Sequence, residues 1–234
     1  MADKLLVPSI EQRLASLIEI TRRNAFGHRE PDKGKAPPAI TISREFGCEG
    51  FPVAEKLKAL LEKKTGDAWE VMDKELMKEV ARHHNLGEDI FKRLGEKNLF
   101  LDEFLSTFSP RWHSDKDYYK LLTRQIVALA TGGNVIIVGR GSTIVTQKMS
   151  NCFHFRIIAP LDFRTRTIAK RLHLSHGEAE DLVLKRQKAR ETFIHDFLDH
   201  DIADPNLYHL ILNNGKAGAD RIAETICGFV TAAL

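Results

Sequence analysis

The sequence has few cysteines, and the three it has are far apart. Cys48, Cys152 and Cys227 show no paired spacing of the kind that holds a zinc ion or builds a disulfide framework. A chain with dispersed cysteines suits a reducing compartment. The sequence therefore predicts no metal site held by protein ligands alone, and a cytoplasmic location.

Long apolar runs and a strong net charge are also missing. The first residues include no stretch that resembles a signal peptide or a membrane span. Thirty-five Lys and Arg against 32 Asp and Glu leave a net charge of +3, which is too small to indicate nucleic-acid binding by itself. We therefore expect neither a membrane nor a nucleic-acid partner, whereas self-association into a homo-oligomer is left open.

What the sequence does contain is enough apolar material for one α/β domain. Its 234 residues are 43% hydrophobic, without internal repeats or low-complexity stretches. Ser9 to Gln12 reads as a capping box that opens an amphipathic helix to about residue 24, and residues 27–38 read as a linker. This helix covers the core or mediates self-association. The domain proper is predicted over residues 39–234.

From residue 39 onward, short apolar runs alternate with helical patterns. Residues 74–130 and two basic stretches after residue 160 are helical in pattern, and a helix closes the chain. Alternation of this kind predicts a parallel sheet covered by helices on both faces. The strands are predicted at residues 39–43, 69–72, 134–138, 153–158 and 207–212.

The first strand leads into a glycine-bearing loop, from Ser43 to Pro52. Backbone N–H groups in a loop between a strand and a helix can bind phosphate, assisted by the helix dipole. The loop lacks the Gly-Lys-Ser/Thr signature of a Walker A motif, so a plain strand-to-helix turn is the alternative. A charged pair, Arg44 and Glu45, at the end of a central strand favours the phosphate site.

Five segments in register resemble the cytidylate-kinase-like proteins, relatives of the nucleoside monophosphate kinases. The resemblance implies a three-layer α/β/α, P-loop NTPase-like parallel sheet with a helical mononucleotide-binding insert at about 74–130. It also implies a basic lid at about 162–203. The segments are Ile42–Gly47 with the helix that follows it, Met72–Leu76, Val138–Gly141, Lys188–Arg190 and Leu207–Asn213.

The resemblance also assigns roles to individual residues. ATP with Mg²⁺ would be the donor, and the partners would be a nucleotide and a small phosphate acceptor. Asp73 and Arg140 would bind the acceptor, while Arg140, Lys188 and Arg190 would stabilise the transferring charge. Donor phosphates would be held by the loop and the lid, through Ser43, Arg44, Gly47, Cys48, Glu49, Gly50, Arg166 and Arg171.

Three positions depart from the pattern of true cytidylate kinases. Gly50 stands at the loop lysine, Pro52 at the hydroxyl that ligates magnesium, and Gln187 where related lids often carry an acid. Arg44, in the same loop, could replace the missing positive charge. The leading hypothesis is transfer of phosphate from ATP to CMP or a related small acceptor. The alternatives are a nucleotide-binding sensor or partner-binding module without phosphotransfer, and a nucleic-acid binder that uses the basic helices.

Simpler explanations exist for several of these residues. The lid cations could form solvated helix faces, and Asp73 could cap the helix that follows it. Cys48 is by default a small loop residue rather than a nucleophile. Residues 195–201 contain two His/Asp pairs at i, i+4 spacing, His195/Asp199 and Asp196/His200. The two pairs lie on different faces of a helix, so a surface helix end is favoured over a metal site. Arg140 has few structural explanations, because glycines flank it at the end of an apolar strand.

Overall fold

A computed structural model describes residues 36–73 and 113–233. The predicted N-terminal helix at residues 9–24 lies outside the described residues. So do most of the linker and the larger part of the helical insert, residues 74–112. None of the helices in the described ranges is long and apolar enough to cross a membrane.

Five parallel strands form a single sheet at the centre of the molecule, in the order β2-β3-β1-β4-β5. Apolar, β-branched runs build its middle, as expected for strands covered on both faces. The predicted three-layer α/β/α arrangement is confirmed. The strands are β1 (Ala39–Arg44), β2 (Glu70–Met72), β3 (Val135–Val138), β4 (Cys152–Ile158) and β5 (Leu210–Asn213).

Strand β5 begins later than the sequence predicted. Leu207 belongs to a 3-10 turn over Pro205–Leu207 and not to the strand. Pro205 has no N–H for a ladder, and the Asp204 side chain accepts a hydrogen bond from the N–H of Asn206, which stabilises the turn instead. The strand itself starts three residues after the turn.

Helices α1 (Gly50–Thr65) and α6 (Ala219–Ala233) cover one face of the sheet. Val53, Leu57 and Leu61 recur at i, i+4 and i+8 on α1, and all three are fully buried. Helix α1 ends at Gly66, which adopts the left-handed conformation that glycine accepts most easily. This packing fixes the start of α1 directly beyond the end of β1.

The opposite face carries α2 (His113–Gly132), the single-turn α3 (Ser142–Val145) and the end of α5 (His176–Leu198). On this face, a network of polar side chains joins β1, β4 and α3. Thr41 Oγ1 lies 2.8 Å from Nδ1 of His154 and 3.0 Å from Oγ1 of Thr143, and all three side chains are buried.

Helix α4 (Leu161–Leu172) and α5 form a hairpin in the stretch where the lid is predicted. His173 turns the chain in a left-handed conformation, and Ser175 opens α5 with a complete capping box whose partner is Glu178. The hairpin has its own small apolar core, which includes Ile168 and Val183. Its role as a lid stays a prediction.

Candidate functional site: an arginine cluster at the carboxyl edge of the sheet

Arg44 is the last residue of β1, and its side chain runs across the carboxyl edge of the sheet. It passes over Gly50, where an added Cβ would lie 3.0 Å from Arg44 Cγ. It then reaches Gly139 beyond β3, where a Cβ would overlap the Nη1 atom. An alanine at Gly139 would also be strained by its φ of +81°, whereas an alanine at Gly50 would need Arg44 to shift by a few tenths of an ångström. The resemblance described above places the missing loop lysine at Gly50.

Arg140 follows Gly139 in a tight turn beyond β3. Its φ of 60° is left-handed, as are those of the flanking Gly139 and Gly141. A Cβ at Gly141 would overlap Leu198 of α5 and lie 2.8 Å from the Tyr119 hydroxyl oxygen. The turn is thus packed between α2 and α5, and Arg140 adopts a left-handed conformation that is uncommon for residues other than glycine.

Arg190 enters from α5, more than a hundred residues away along the chain. Its Nη1 donates to the backbone carbonyl oxygen of Arg44 at 3.2 Å. Its guanidinium carbon also lies 5.1 Å from the ring centroid of Phe46, within the range of a cation–π contact. These two contacts hold Arg190 over the loop.

The three arginines are partly buried and act on one another electrostatically. Burial, followed by the charge of Arg140, lowers the pKa of Arg44 to about 10. Burial, followed by the charge of Arg44, lowers the pKa of Arg190 to about 9. Both groups remain protonated at neutral pH, so like charges are held close together at a cost. An anion bound among them would relieve that cost.

Asp73 lies beyond the end of β2, where the sequence placed it, and its charge raises the pKa of Arg44. Within the described ranges, no carboxylate oxygen forms an ion pair with Arg44, Arg140 or Arg190. Guanidinium groups that are partly buried without such a partner are an electrostatic match for phosphate.

The backbone of the loop is largely bonded to protein. The N–H of Phe46 donates to Oε1 of Gln187 at 2.9 Å, and that of Glu49 donates to Oδ1 of Asn214 at 2.8 Å. The N–H of Cys48 reaches the carbonyl oxygen of Glu45 at 3.3 Å. Several of the loop N–H groups that were predicted to bind phosphate therefore donate to protein acceptors instead. The positive charge at this edge comes mainly from arginine side chains.

Helix α4 supports the loop from outside. A Cβ at Gly47 would lie 2.7 Å from Cβ of Arg164, so only glycine fits there. Glu45 Oε2 accepts the N–H of Ala159 at 2.9 Å and lies 3.5 Å from Nε of Arg164. Arg164 Nη1 is buried, and it has no hydrogen-bond partner in the described part of the chain, which leaves a donor for a ligand.

Two of the predicted loop residues, Ser43 and Cys48, are buried within the protein. The hydroxyl oxygen of Ser43 is 3.2 Å from Nη1 of Arg156 and 3.3 Å from the hydroxyl oxygen of Tyr208, on the sheet face opposite α1. Cys48 is buried, and burial followed by the Glu45 charge raises the pKa of its thiol to about 12. A thiol with that pKa is a poor nucleophile at neutral pH.

The predicted cations of the lid divide into two groups. Arg190 faces the loop, whereas Arg166, Arg171 and Lys188 are exposed. Arg166 forms an ion pair with Asp162 one turn earlier, at 2.9 Å. The structure therefore brings one of the four lid cations into the cluster and leaves three on the solvent side of the hairpin.

Sequence reasoning missed two residues as partners of the loop, Gln187 and Asn214. Asn214 directly follows Leu207–Asn213, which is one of the segments that carry the family resemblance. The resemblance therefore indicated this region of the chain without naming Asn214. Its side chain joins Glu49 through two hydrogen bonds and is itself buried. No local signal predicts these contacts, because each spans more than a hundred residues.

The arrangement suits binding of phosphoryl groups. Planar guanidinium forks bind phosphate oxygens bidentately, and phosphoryl transfer depends on positioning and charge neutralisation more than on covalent help from the protein. The carboxyl edge of a parallel sheet is also where α/β proteins bind their ligands.

The chain is also similar to known proteins. The chain is 25% identical to a cytidylate kinase of Sulfolobus acidocaldarius over 157 residues, 67% of this chain and 76% of the relative. It is 22% identical to a cytidylate kinase of Ignicoccus hospitalis over 161 residues, 69% of this chain and 91% of the relative.

Among solved structures, an uncharacterized protein from Eubacterium ventriosum superposes with a TM-score of 0.66 at 22% identity, covering 83% of this chain and 98% of that one. This likeness shows the fold. The sequence model of the cytidylate kinase-like family matches residues 39–216, from the start of β1 to the loop before α6. The chain belongs to the cytidylate kinase-like family.

Proposed function

We propose that this protein transfers the γ-phosphoryl group of ATP to CMP or a related small acceptor. The observation that carries the proposal is the convergence of Arg44, Arg140 and Arg190 from three separate segments on one edge of the sheet. Membership of the cytidylate kinase-like family supports the same reaction class.

Each arginine has a distinct role in the proposal. Arg44 supplies the positive charge of the absent loop lysine, because its side chain lies against Gly50, the position where that lysine would begin. Arg140 stabilises the charge that develops on the transferring group, at the junction of donor and acceptor. Arg190 binds the donor phosphates from α5, and Asp73, whose charge acts on Arg44, binds the acceptor. Fixed guanidinium groups of this kind stabilise the transition state without reorganisation.

A coupled assay for ADP production tests the proposal across the nucleoside monophosphates, with ATP and Mg²⁺ present. Turnover with CMP above the other acceptors is expected. Absence of turnover with every acceptor would rule out the kinase reaction under these conditions and favour the second candidate.

The second candidate is a nucleotide-binding sensor without phosphotransfer. The bonds from Phe46 to Gln187 and from Glu49 to Asn214 favour it, because they use loop amides that a donor phosphate would otherwise bind. A thermal shift experiment separates the two, since a ligand that binds the folded state raises its melting temperature. Stabilisation by ATP or CMP without turnover would select the sensor.

A further inference from the structure

The resemblance to nucleotide kinases implies Mg²⁺ at the donor phosphates, and the residues near the loop can be tested against that requirement. Mg²⁺ takes oxygen ligands, usually one or two carboxylates together with substrate phosphates. In P-loop proteins a loop Ser or Thr supplies a further oxygen. Here that position is Pro52, which has no hydroxyl.

The carboxylates of the loop are already bonded to protein donors. Glu45 accepts the N–H of Ala159 and lies beside Arg164, and Glu49 accepts a hydrogen bond from Nδ2 of Asn214 at 3.1 Å. These bonds use Oε2 of each carboxylate and fix its orientation, so a metal ion could be bound only through Oε1 as it is now placed.

The lid offers no replacement ligand at the expected position. Gln187 stands where an acid is expected, and its carbonyl oxygen is bonded to the N–H of Phe46 while its amide donates to Glu191. Mg²⁺ needs only one or two carboxylates of the protein, and the positions where the family pattern has a hydroxyl and an acid are Pro52 and Gln187. The donor set is therefore a poor match for Mg²⁺.

The charge balance points the same way. Three guanidinium groups gather at the site, and Asp73 is the one carboxylate whose charge acts on Arg44 in the described part of the chain. A divalent cation placed among these groups would be repelled by them, and the repulsion is strong where water is partly excluded. A bound Mg²⁺ would also cancel two negative charges of the nucleotide, which would weaken its attraction to the arginines.

We propose that Arg44, Arg140 and Arg190 bind the phosphate groups of the nucleotide directly, so that binding does not require Mg²⁺. This inference rests on the nucleotide-binding function proposed above and extends it, because it names the metal-free polyphosphate anion as a form that the site binds at least about as well as the magnesium complex. It concerns the binding step.

Calorimetric titration of the full chain with ATP tests the inference, once with excess Mg²⁺ and once with EDTA. The dissociation constant in EDTA is expected to equal that in Mg²⁺ within threefold, or to be lower by up to tenfold. Binding that is more than threefold weaker in EDTA would overturn the inference while leaving nucleotide binding intact. Absence of binding in both conditions would overturn the proposed function, and the inference with it.

Inorganic tripolyphosphate in EDTA serves as a probe that lacks the base and the sugar. It is expected to compete with ATP, since the arginines would hold it by the same phosphate contacts. Failure of tripolyphosphate to displace ATP in EDTA would overturn the assignment of the phosphates to the cluster.

Substitutions test whether the arginine cluster is responsible for ATP binding in EDTA. Arg44→Ala is expected to weaken ATP binding in EDTA at least tenfold, and Arg44→Lys to restore part of it. The matched control is Arg221→Ala, because Arg221 is an exposed arginine on α6, outside the cluster; a change below twofold is expected there. If Arg44→Ala fails to fold by circular dichroism, Arg190→Ala replaces it with the same expectation. Wild-type affinity in a folded cluster variant would overturn the inference.

Discussion

The cations of this protein occupy two different environments. Arg44, Arg140 and Arg190 are partly buried at the carboxyl edge of the sheet, whereas Arg166, Arg171 and Lys188 are exposed on the α4–α5 hairpin. The side chain of Arg166 is 67% exposed and is paired with Asp162. The exposed cations are the more conspicuous group in the sequence, because they lie in a dense basic run.

This contrast shows that charge density along the chain does not locate the site. An exposed cation is hydrated and screened by salt, so it contributes little to binding of a single phosphate. A partly buried guanidinium has lost much of its hydration and gains more from an anion that replaces it. The comparison therefore predicts large effects for substitutions in the cluster and small effects on the hairpin surface.

The largest expected effect is that of Arg140→Ala. Loss of one preorganised donor at the transferring group should lower kcat/KM for the phosphotransfer reaction by about 100- to 1,000-fold. Steady-state kinetics with CMP would measure it, with Arg140→Lys as a control that keeps the charge and loses the planar fork. A kcat/KM within threefold of wild type for Arg140→Ala would contradict the claim that the partly buried cations matter more for the reaction than the exposed ones.

Burial also distinguishes His154, which is buried, from His176, which is exposed. His154 is 4% exposed, and burial together with the charge of His209 lowers its pKa to about 4, from 6.5. Between these pH values the unfolded chain binds a proton that the folded protein does not. Stability should therefore fall by about 3 kcal/mol as the pH is lowered from 6.5 to 4.

Urea denaturation across that pH range would measure the loss, and His154→Gln should flatten the part of the profile that His154 contributes. The control is His176→Gln, since His176 lies on the exposed hairpin and its replacement should leave the slope in place. An unchanged profile in His154→Gln would contradict the prediction.

A smaller effect is expected from Gly139→Ala. The new Cβ would overlap Arg44 Nη1, and the φ of +81° is unfavourable for alanine. We expect ATP affinity to fall about tenfold and the free energy of unfolding to fall by about 1–3 kcal/mol. Gly66→Ala is the matched control, because Gly66 has a similar φ of +75° and nothing lies within 4 Å of a Cβ there. Equal effects of the two substitutions would show that Arg44 is not seated on Gly139.

The smallest effects are expected on the hairpin surface. Alanine at Arg166, Arg171 or Lys188 should change the dissociation constant of ATP by at most about threefold, which corresponds to about 0.7 kcal/mol. Calorimetric titration would measure each variant. A tenfold loss at any of the three positions would show that the hairpin approaches the nucleotide more closely than in the described structure, and would restore that residue to the site.

Much of the fold was predictable from local patterns. The run Val135–Val138 is apolar and β-branched, so it predicts a central strand, and the Gly139–Gly141 turn directly after it singles out Arg140. Strand β5 was predicted three residues too early, because the apolar Leu207 reads as strand in a sequence, although Pro205 and the Asp204 side chain close a turn there.

The composition of the site was less predictable. Arg44 could be proposed from its position at the end of β1, but its route over Gly50 and Gly139 depends on two segments about ninety residues apart. The bonds from the loop to Gln187 and Asn214 join elements that have no sequence relation to it. Pattern arguments describe one segment at a time, so they overestimate how many loop amides remain for a ligand.

By itself, the sequence determined the order of strands and helices along the chain, the family, and the arginine that follows the central strand. These follow from local periodicity, from turn chemistry and from motifs that each lie within a few residues. Only the tertiary structure decided which cations form the cluster and which face solvent. Burial and charge proximity arise when distant segments pack together, and no single segment contains them.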